Sequence, residues 1–359
     1  MTATSRPAEP ANRGWIARHR RTAAAVLGVV VVVGFFYYVV PQIAGLGPTL
    51  SRLRAGDLWW LALGVFLEAI SIAAEVGLFE AVFSRSTNRI GWRTSAEVTL
   101  AGSAATKLLA TAGAGGIALT IWALRGAGMA SAEVATGMVC YEILTYAVYM
   151  GALVIGGFGL WFGIFAGRAP VGVTLVPALF GLAVIVVVGS MWFLAEPAER
   201  RLRRWADAAH GRPGRWLRRA VAVPRALRSG LQICIAIGRR GWPLLWPVAA
   251  WGFDIAVLGV AFRAFGHAPS PAVLVMGYYV GTLANTLPLP GGIGGVEGGM
   301  IGAFLAFGVN GSLAVLAVLS YRTISYWLPT VPGAVAYFEL RHRMAAWRAA
   351  GQATAGAPA

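Results

Sequence analysis

Long, predominantly apolar runs constrain this chain more than any other feature. Residues 22–43, 57–83, 131–160, 171–195, 241–266 and 311–339 each supply about 20 or more residues of this kind, enough helix to cross roughly 30 Å of bilayer hydrocarbon. Lipid offers no hydrogen-bond partner, so such segments must satisfy their own backbone and read as α-helices. Composition agrees, with 58% hydrophobic and 12% charged residues; that charged share is about half that of a soluble domain. A disordered chain, a disulfide scaffold and a soluble enzyme are excluded together. Segment 22–43 follows Arg18, Arg20 and Arg21, as a signal peptide would. Its apolar run is too long for a signal core and Pro41-Gln42-Ile43 is no small-residue cleavage site, so it reads as a retained span.

Two further apolar stretches are broken in the middle. Residues 94–127 are interrupted by Ala112-Gly113-Ala114-Gly115-Gly116, and residues 270–307 by Leu287-Pro288-Leu289-Pro290-Gly291-Gly292-Ile293-Gly294-Gly295. Their halves of about 11 to 18 residues give roughly 16 to 27 Å of helix, and most are too short to cross alone. A re-entrant hairpin fits both: two half-helices on one side of the membrane, with the irregular backbone buried in protein or facing a wet cavity.

The arginines give the orientation. Of 30 basic residues, only Lys107 is a lysine. The arginines concentrate in segment 1–21, in loop 84–93, in loop 196–240 and in the tail 341–359. All four regions fall on one side if each hairpin returns to its side of origin, and the positive-inside rule makes that side cytoplasmic. Both termini are then cytoplasmic, in a multi-pass protein of the cell membrane. The net charge of +16 is therefore topology, and no nucleic-acid partner is expected. Loop 196–240 is expected instead to meet anionic lipid headgroups. Cys140 lies in an apolar span and Cys234 in the Arg-rich loop, which implies no disulfide and no metal site. The four histidines form no metal-ligand spacing, and no cofactor motif occurs.

The two broken stretches resemble each other at an offset near 180. Ala114-Gly115-Gly116-Ile117 lies over Pro290-Gly291-Gly292-Ile293, Gly128 over Gly308, and Tyr141-Glu142 over Tyr321-Arg322. The order of span, broken hairpin and span is the same in both halves. With the N-terminus inside, span 57–83 runs inward and span 241–266 runs outward, so the halves are antiparallel. The expected fold is an all-α polytopic membrane protein with about six full spans plus two re-entrant helical hairpins arranged as an inverted repeat. Its parts are a basic tail over 1–21, a transmembrane domain over 22–340 and a tail over 341–359. Repeat one covers 57–160 and repeat two covers 241–339. Interrupted segments in corresponding positions of inverted halves point to a transport site near the midplane.

Ionisable groups inside spans cost about 2.5–3.5 kcal/mol each and need a partner or a cavity. Glu68, Glu75, Glu80, Lys107, Glu142, Asp254, Glu297 and Arg322 are such groups. Pro288, Pro290, Gly291, Gly292, Gly294 and Gly295 shape a turn whose exposed N–H groups, at the start of a half-helix, suit an anion such as a lipid phosphate. Glu297, one turn inside that half-helix, needs neutralising by Lys107 or Arg322, or a proton. With Tyr321, Lys107 and Glu142 these residues form the candidate translocation site. Glu68 and Glu75, seven residues apart on one helix face, are cavity-lining candidates with Asp254 and Asn285. Tyr141, Tyr321, Tyr326 and Trp327 serve packing more often than binding. No Walker motif, paired Cys or His, or Ser-His-Asp set is present, so no catalytic residue is assigned.

Pro290, Gly291, Gly292, Gly294 and Glu297, followed by Gly308-Val309 and Tyr321-Arg322, resemble the lysylphosphatidylglycerol synthase transmembrane region, or flippase-like domain, over roughly residues 20–345. The first hairpin departs from that pattern, with Ala112 and Ala114 where the family usually has proline. The resemblance implies translocation of an anionic or aminoacylated phospholipid or of an isoprenoid-phosphate carrier. The synthase domain fused to the best-known relatives is absent from this sequence, so no lipid aminoacylation is expected. Two rivals remain at this point. A membrane glycosyltransferase or lipid-modifying enzyme needs an outward acidic loop, where only Asp57 is available. A non-catalytic accessory subunit would dock a synthase through loop 196–240.

Overall fold

The computed structural model describes residues 56–84, 90–108, 114–208, 221–239, 241–286 and 294–355. The expected span 22–43 and tail 1–21 lie outside the described residues, as do Ala112, Pro288, Pro290, Gly291 and Gly292. Eleven α-helices follow one another among the described residues, with no strand. They are α1 (Leu58–Phe83), α2 (Trp92–Leu108), α3 (Ala114–Gly126), α4 (Ser131–Trp161), α5 (Leu175–Ala208) and α6 (Ala222–Gly238). After them come α7 (Leu245–Phe265), α8 (Pro271–Thr282), α9 (Gly295–Ala306), α10 (Gly311–Arg322) and α11 (Leu328–Ala355). Among the described residues, four stretches are long and apolar enough to cross a membrane: Leu58–Phe83, Ser131–Trp161, Val171–Leu194 and Trp242–Phe265.

Local chemistry sets the helix ends. Asp57 caps α1, its carboxylate accepting the Trp59 N–H at 3.0 Å. Asn310 caps α10 by accepting from Ser312 and Leu313, and Pro271 opens α8 behind Ser270, where its missing N–H costs nothing. The turns after α3 and α9 are alike. Gly128 (φ 87°) and Gly308 (φ 85°) are left-handed, and the next N–H reaches back to Leu124 in one turn and to Phe304 in the other. This six-to-one closure is the usual glycine stop.

Helices α1 and α7 pack side by side and antiparallel. The Asp57 N–H meets the Ala264 carbonyl at 3.0 Å, the Ser71 hydroxyl meets the Ala250 carbonyl at 2.8 Å, and Gly77 leaves room for the Trp246 ring. Each broken stretch folds into a pair of short helices, α2 with α3 and α8 with α9. Both pairs close on glycine. A Cβ on Gly116 would stand 2.6 Å from the Gly102 carbonyl oxygen, and one on Gly281 would stand 2.8 Å from the Met300 nitrogen. The first pair packs on α11, where Gly333 faces Leu100 and Ala104. The second packs on α4, where the Tyr149 hydroxyl donates to the Tyr279 carbonyl at 2.7 Å. Two apolar clusters result, one around Phe79, Phe83 and Leu124 and the other around Phe262, Met276 and Phe304.

Three features were not foreseen from the sequence. Within segment 196–240 the described residues include helix: α5 runs on to Ala208, and α6 spans Ala222–Gly238. Glu196 and Glu199 pair with Arg200 and Arg203 one turn on, and across to Arg228 and Arg225 of α6, so charge pairing holds a helical hairpin beyond the apolar part of α5. That fold brings the Cys234 and Cys140 sulfurs to 3.1 Å, although the sequence put them in unrelated settings. Segment 311–339 is not one uniform helix. A π-helical turn over Thr323–Trp327 separates α10 from α11, flanked by Thr323 and Thr330 hydroxyls that bond the carbonyls four residues back. Such back-bonding bends helices.

Candidate functional site

A cavity of about 600 Å³ opens among α1, α2, α3, α4, α7, α8, α10 and the π-helical turn. That volume is in the range of pockets that hold small ligands. Six charged residues line it: Glu68, Glu75, Lys107, Glu142, Asp254 and Arg322. All six were singled out from the sequence, where they are separated by up to 254 positions. The helix face shared by Glu68 and Glu75 is the one turned to the cavity.

The cavity wall is a hydrogen-bonded lattice. The Tyr141 hydroxyl donates to Glu75 Oε1 at 3.1 Å. Asp254 accepts the Tyr278 hydroxyl, the Tyr321 hydroxyl at 3.1 Å and the Ser325 hydroxyl at 2.9 Å. The Ser325 oxygen also lies 2.7 Å from Glu68 Oε2. Lys107 Nζ donates to the Ser325 carbonyl at 2.9 Å, and the Tyr326 hydroxyl donates to the Lys107 carbonyl at 2.6 Å. These two bonds tie the end of α2 to the π-helical turn. Tyr149 and Tyr279 stack beside them with ring centres 4.5 Å apart, and Trp251 packs tilted against both.

Arg322 and Glu297 form a pair, Nε to Oε1 at 2.6 Å, with 11% and 15% of their side chains exposed. The second Glu297 oxygen accepts the Gly294 N–H at 2.7 Å. The guanidinium also lies 4.1 Å from the Tyr326 ring centre, and Lys107 Nζ lies 5.7 Å from the same centre. The two cations thus converge on one aromatic ring, while Glu75 and Glu142 flank Tyr141. With four carboxylates against Lys107 and the paired Arg322, the lining is acidic in sum.

Glu297, Gly294 and Gly295 stand apart from this cavity. Glu297 reaches it only through Arg322, and Gly294 and Gly295 serve as the cap and first residue of α9. Asn285 falls in a short 3-10 turn over Leu283–Thr286. Glu80 and Arg263 are not among the lining residues. Tyr141, Tyr321 and Tyr326 do more than pack, since each hydroxyl holds a lining group. Sequence reading missed Ser325, Tyr278, Tyr149 and Trp251. Ser325 aligns with Thr145 in the 180-residue offset, and that polar match inside a span was the available signal.

Fold and cavity define a membrane protein that is helical through its described residues and built around a chamber lined by charged groups. The family described as "Lysylphosphatidylglycerol synthase TM region" matches residues 25–333, and the chain belongs to it. A UPF0104 membrane protein of Methanothermobacter thermautotrophicus is 28% identical over 322 residues, covering 82% of this chain and 90% of that protein. Two further matches of the same name and organism are 37% identical over 87 residues, and the chain spans 26% and 25% of their lengths.

Proposed function

We propose that this chain moves a lipid across the cell membrane by receiving its headgroup in the charged chamber. The carrying observation is the gathering of six charged side chains in one cavity walled by apolar helices. Such groups are costly in a membrane and are kept where a polar cargo passes. Convergence of Lys107 and Arg322 on Tyr326 suits a phosphate, while Glu75 and Glu142 beside Tyr141 suit a cationic amine. The preferred cargo is therefore a phospholipid whose headgroup carries an amine, aminoacylated lipid included; an isoprenoid phosphate, with no amine, would leave the acidic side unmatched. The protein passes this cargo unchanged and has no catalytic role.

The architecture behind this reading is an inverted repeat, 57–160 and 241–339, with two re-entrant hairpins within a transmembrane domain over 22–340. Support comes from the matched glycine stops at Gly128 and Gly308 and from glycine closure of both short-helix pairs. It comes also from an exchange of partners: the first hairpin packs on α11 and the second on α4. Both tails and the charged α5–α6 hairpin lie on the cytoplasmic side, where their arginines face anionic lipid or a synthase partner.

The test is lipid movement in proteoliposomes of phosphatidylcholine and phosphatidylglycerol doped with aminoacylated phosphatidylglycerol, read with an impermeant amine reagent. Protein should expose inner-leaflet amine to the reagent, and Lys107→Met or Glu75→Gln/Glu142→Gln should slow this at least tenfold. Wild-type vesicles that match protein-free ones would refute the proposal.

A further inference from the structure

Ser325 carries one hydroxyl proton but stands between two carboxyl groups, 2.7 Å from Glu68 Oε2 and 2.9 Å from Asp254 Oδ1. Each oxygen–oxygen contact of that length needs a hydrogen, and a serine hydroxyl supplies only one. The second must sit on a carboxyl group. Asp254 already accepts the Tyr278 and Tyr321 hydroxyls, which stabilise its anion, whereas the one bond described for Glu68 goes to Ser325. Glu68 is also the more enclosed, with 6% of its surface exposed.

We infer that Glu68 holds an exchangeable proton, donated through Ser325 toward Asp254, and that loading and release of this proton couples lipid movement to the transmembrane proton gradient. On release the proton passes from the Glu68 carboxyl to water in the cavity, leaving a carboxylate and hydronium. Two carboxylates then share a single hydroxyl proton, so one contact fails and repulsion parts α1 from the π-helical turn. The groups facing Glu68 fit this. Glu75 lies on its own helix, Asp254 on α7, Glu142 and Tyr141 on α4, Tyr278 on α8, and Tyr321, Arg322 and Tyr326 on α10 and the turn. Lys107, from α2, is held to the Ser325 carbonyl. The strain of release falls on a π-helical turn, a backbone form that concentrates at functional sites.

The coupling rests on the lipid-translocation reading, but the proton does not, so the experiment has two arms. In the first, infrared spectra of the reconstituted full chain should show the C=O stretch of a protonated carboxylic acid, absent in Glu68→Gln and retained in Ser325→Ala. No such band, or a band that survives Glu68→Gln, overturns the proton assignment. In the second arm, movement of aminoacylated phosphatidylglycerol is followed with and without an imposed pH gradient. The wild type should respond by up to about tenfold per pH unit, the full effect of one proton per cycle. Glu68→Gln and Ser325→Ala should move lipid at one rate under both conditions. A band with gradient-independent wild-type movement, or dependence on a sodium gradient instead, overturns the coupling. If no lipid moves under any condition, the translocation reading and the coupling fall together, and the infrared arm alone decides the proton.

Discussion

The pair between Glu297 and Arg322 should be strongly coupled, and a double-mutant cycle measures it. Arg322 Nε and Glu297 Oε1 are 2.6 Å apart with both side chains largely covered, so each neutralises the other where solvent screening is weak. Removing one partner of a covered pair costs about 3–5 kcal/mol, because the remaining charge loses its counter-ion. Glu297→Ala also drops the bond to the Gly294 N–H, adding about 1 kcal/mol. Glu297→Gln keeps an oxygen for that N–H and loses only charge, so Gln should be milder than Ala by about that last amount. Once one partner is gone, removing the other relieves rather than worsens the imbalance. The double variant Glu297→Ala/Arg322→Ala should therefore be less destabilised than the sum of the single changes, by about 2–3 kcal/mol. Thermal unfolding of the detergent-solubilised protein, followed by tryptophan fluorescence, gives the ranking. Single effects that add to within about 0.5 kcal/mol would refute the pairing and leave Glu297 as a helix cap alone.

Three further outcomes are expected. Gly281→Ala should destabilise by about 1–3 kcal/mol, because its Cβ would meet Met300 backbone atoms at 2.8 and 2.9 Å; an unchanged unfolding temperature would show that α8 and α9 separate freely. Hydrogen bonding from Arg203, joined by Arg225, holds the Glu199 carboxyl below the usual carboxylate range. Its stabilising effect is then complete above its unfolded value, about 4.3, and is lost as pH falls through the lower folded value. Glu199→Gln should remove that part of the acid sensitivity, with an effect of about 0.5–1 kcal/mol, and equal acid profiles would contradict it. For topology, cysteines introduced at Ala169 and Ala268 in a Cys140→Ser/Cys234→Ser background should label from outside and one introduced at Arg201 from inside. Labelling of all three from one face would overturn the orientation.

Four of the expected spans, and the division of each broken stretch into two short helices, were legible because each has a one-dimensional cause. An apolar run of sufficient length must be helical in lipid, and a cluster of glycine and proline must interrupt it. The charged lining was legible for a related reason: a charge within an apolar run demands an explanation, and Glu68, Glu75, Lys107, Glu142, Asp254 and Arg322 each stood out on that ground. What linked them was not legible. Ser325 looks like any small polar residue in a span, and its place between Glu68 and Asp254 depends on the crossing of α1, α7 and the π-helical turn. Nor did composition reveal the α5–α6 hairpin. An arginine-rich segment reads as a loop until Glu196 and Glu199 are seen to pair both along α5 and across to α6. The Cys140–Cys234 contact follows from that hairpin and was invisible for the same reason.

The broken backbone and the charges divide into two sets with different work. Interrupting a helix in a membrane exposes N–H and C=O groups that lipid cannot satisfy. Glu297 answers one such group at the Gly294 N–H, and Lys107 answers another at the Ser325 carbonyl. Both would be needed in a purely structural protein that happened to carry hairpins. The acidic side of the chamber has no such duty. The bonds described for Glu68, Glu75 and Asp254 run to serine and tyrosine hydroxyls, groups that could themselves be replaced by apolar ones of similar shape at little cost. A fold selected for stability alone has no use for those three acids together in one cavity. On the proposed reading their presence is explained by what enters the chamber, an amine-bearing headgroup at Glu75 and a proton at Glu68.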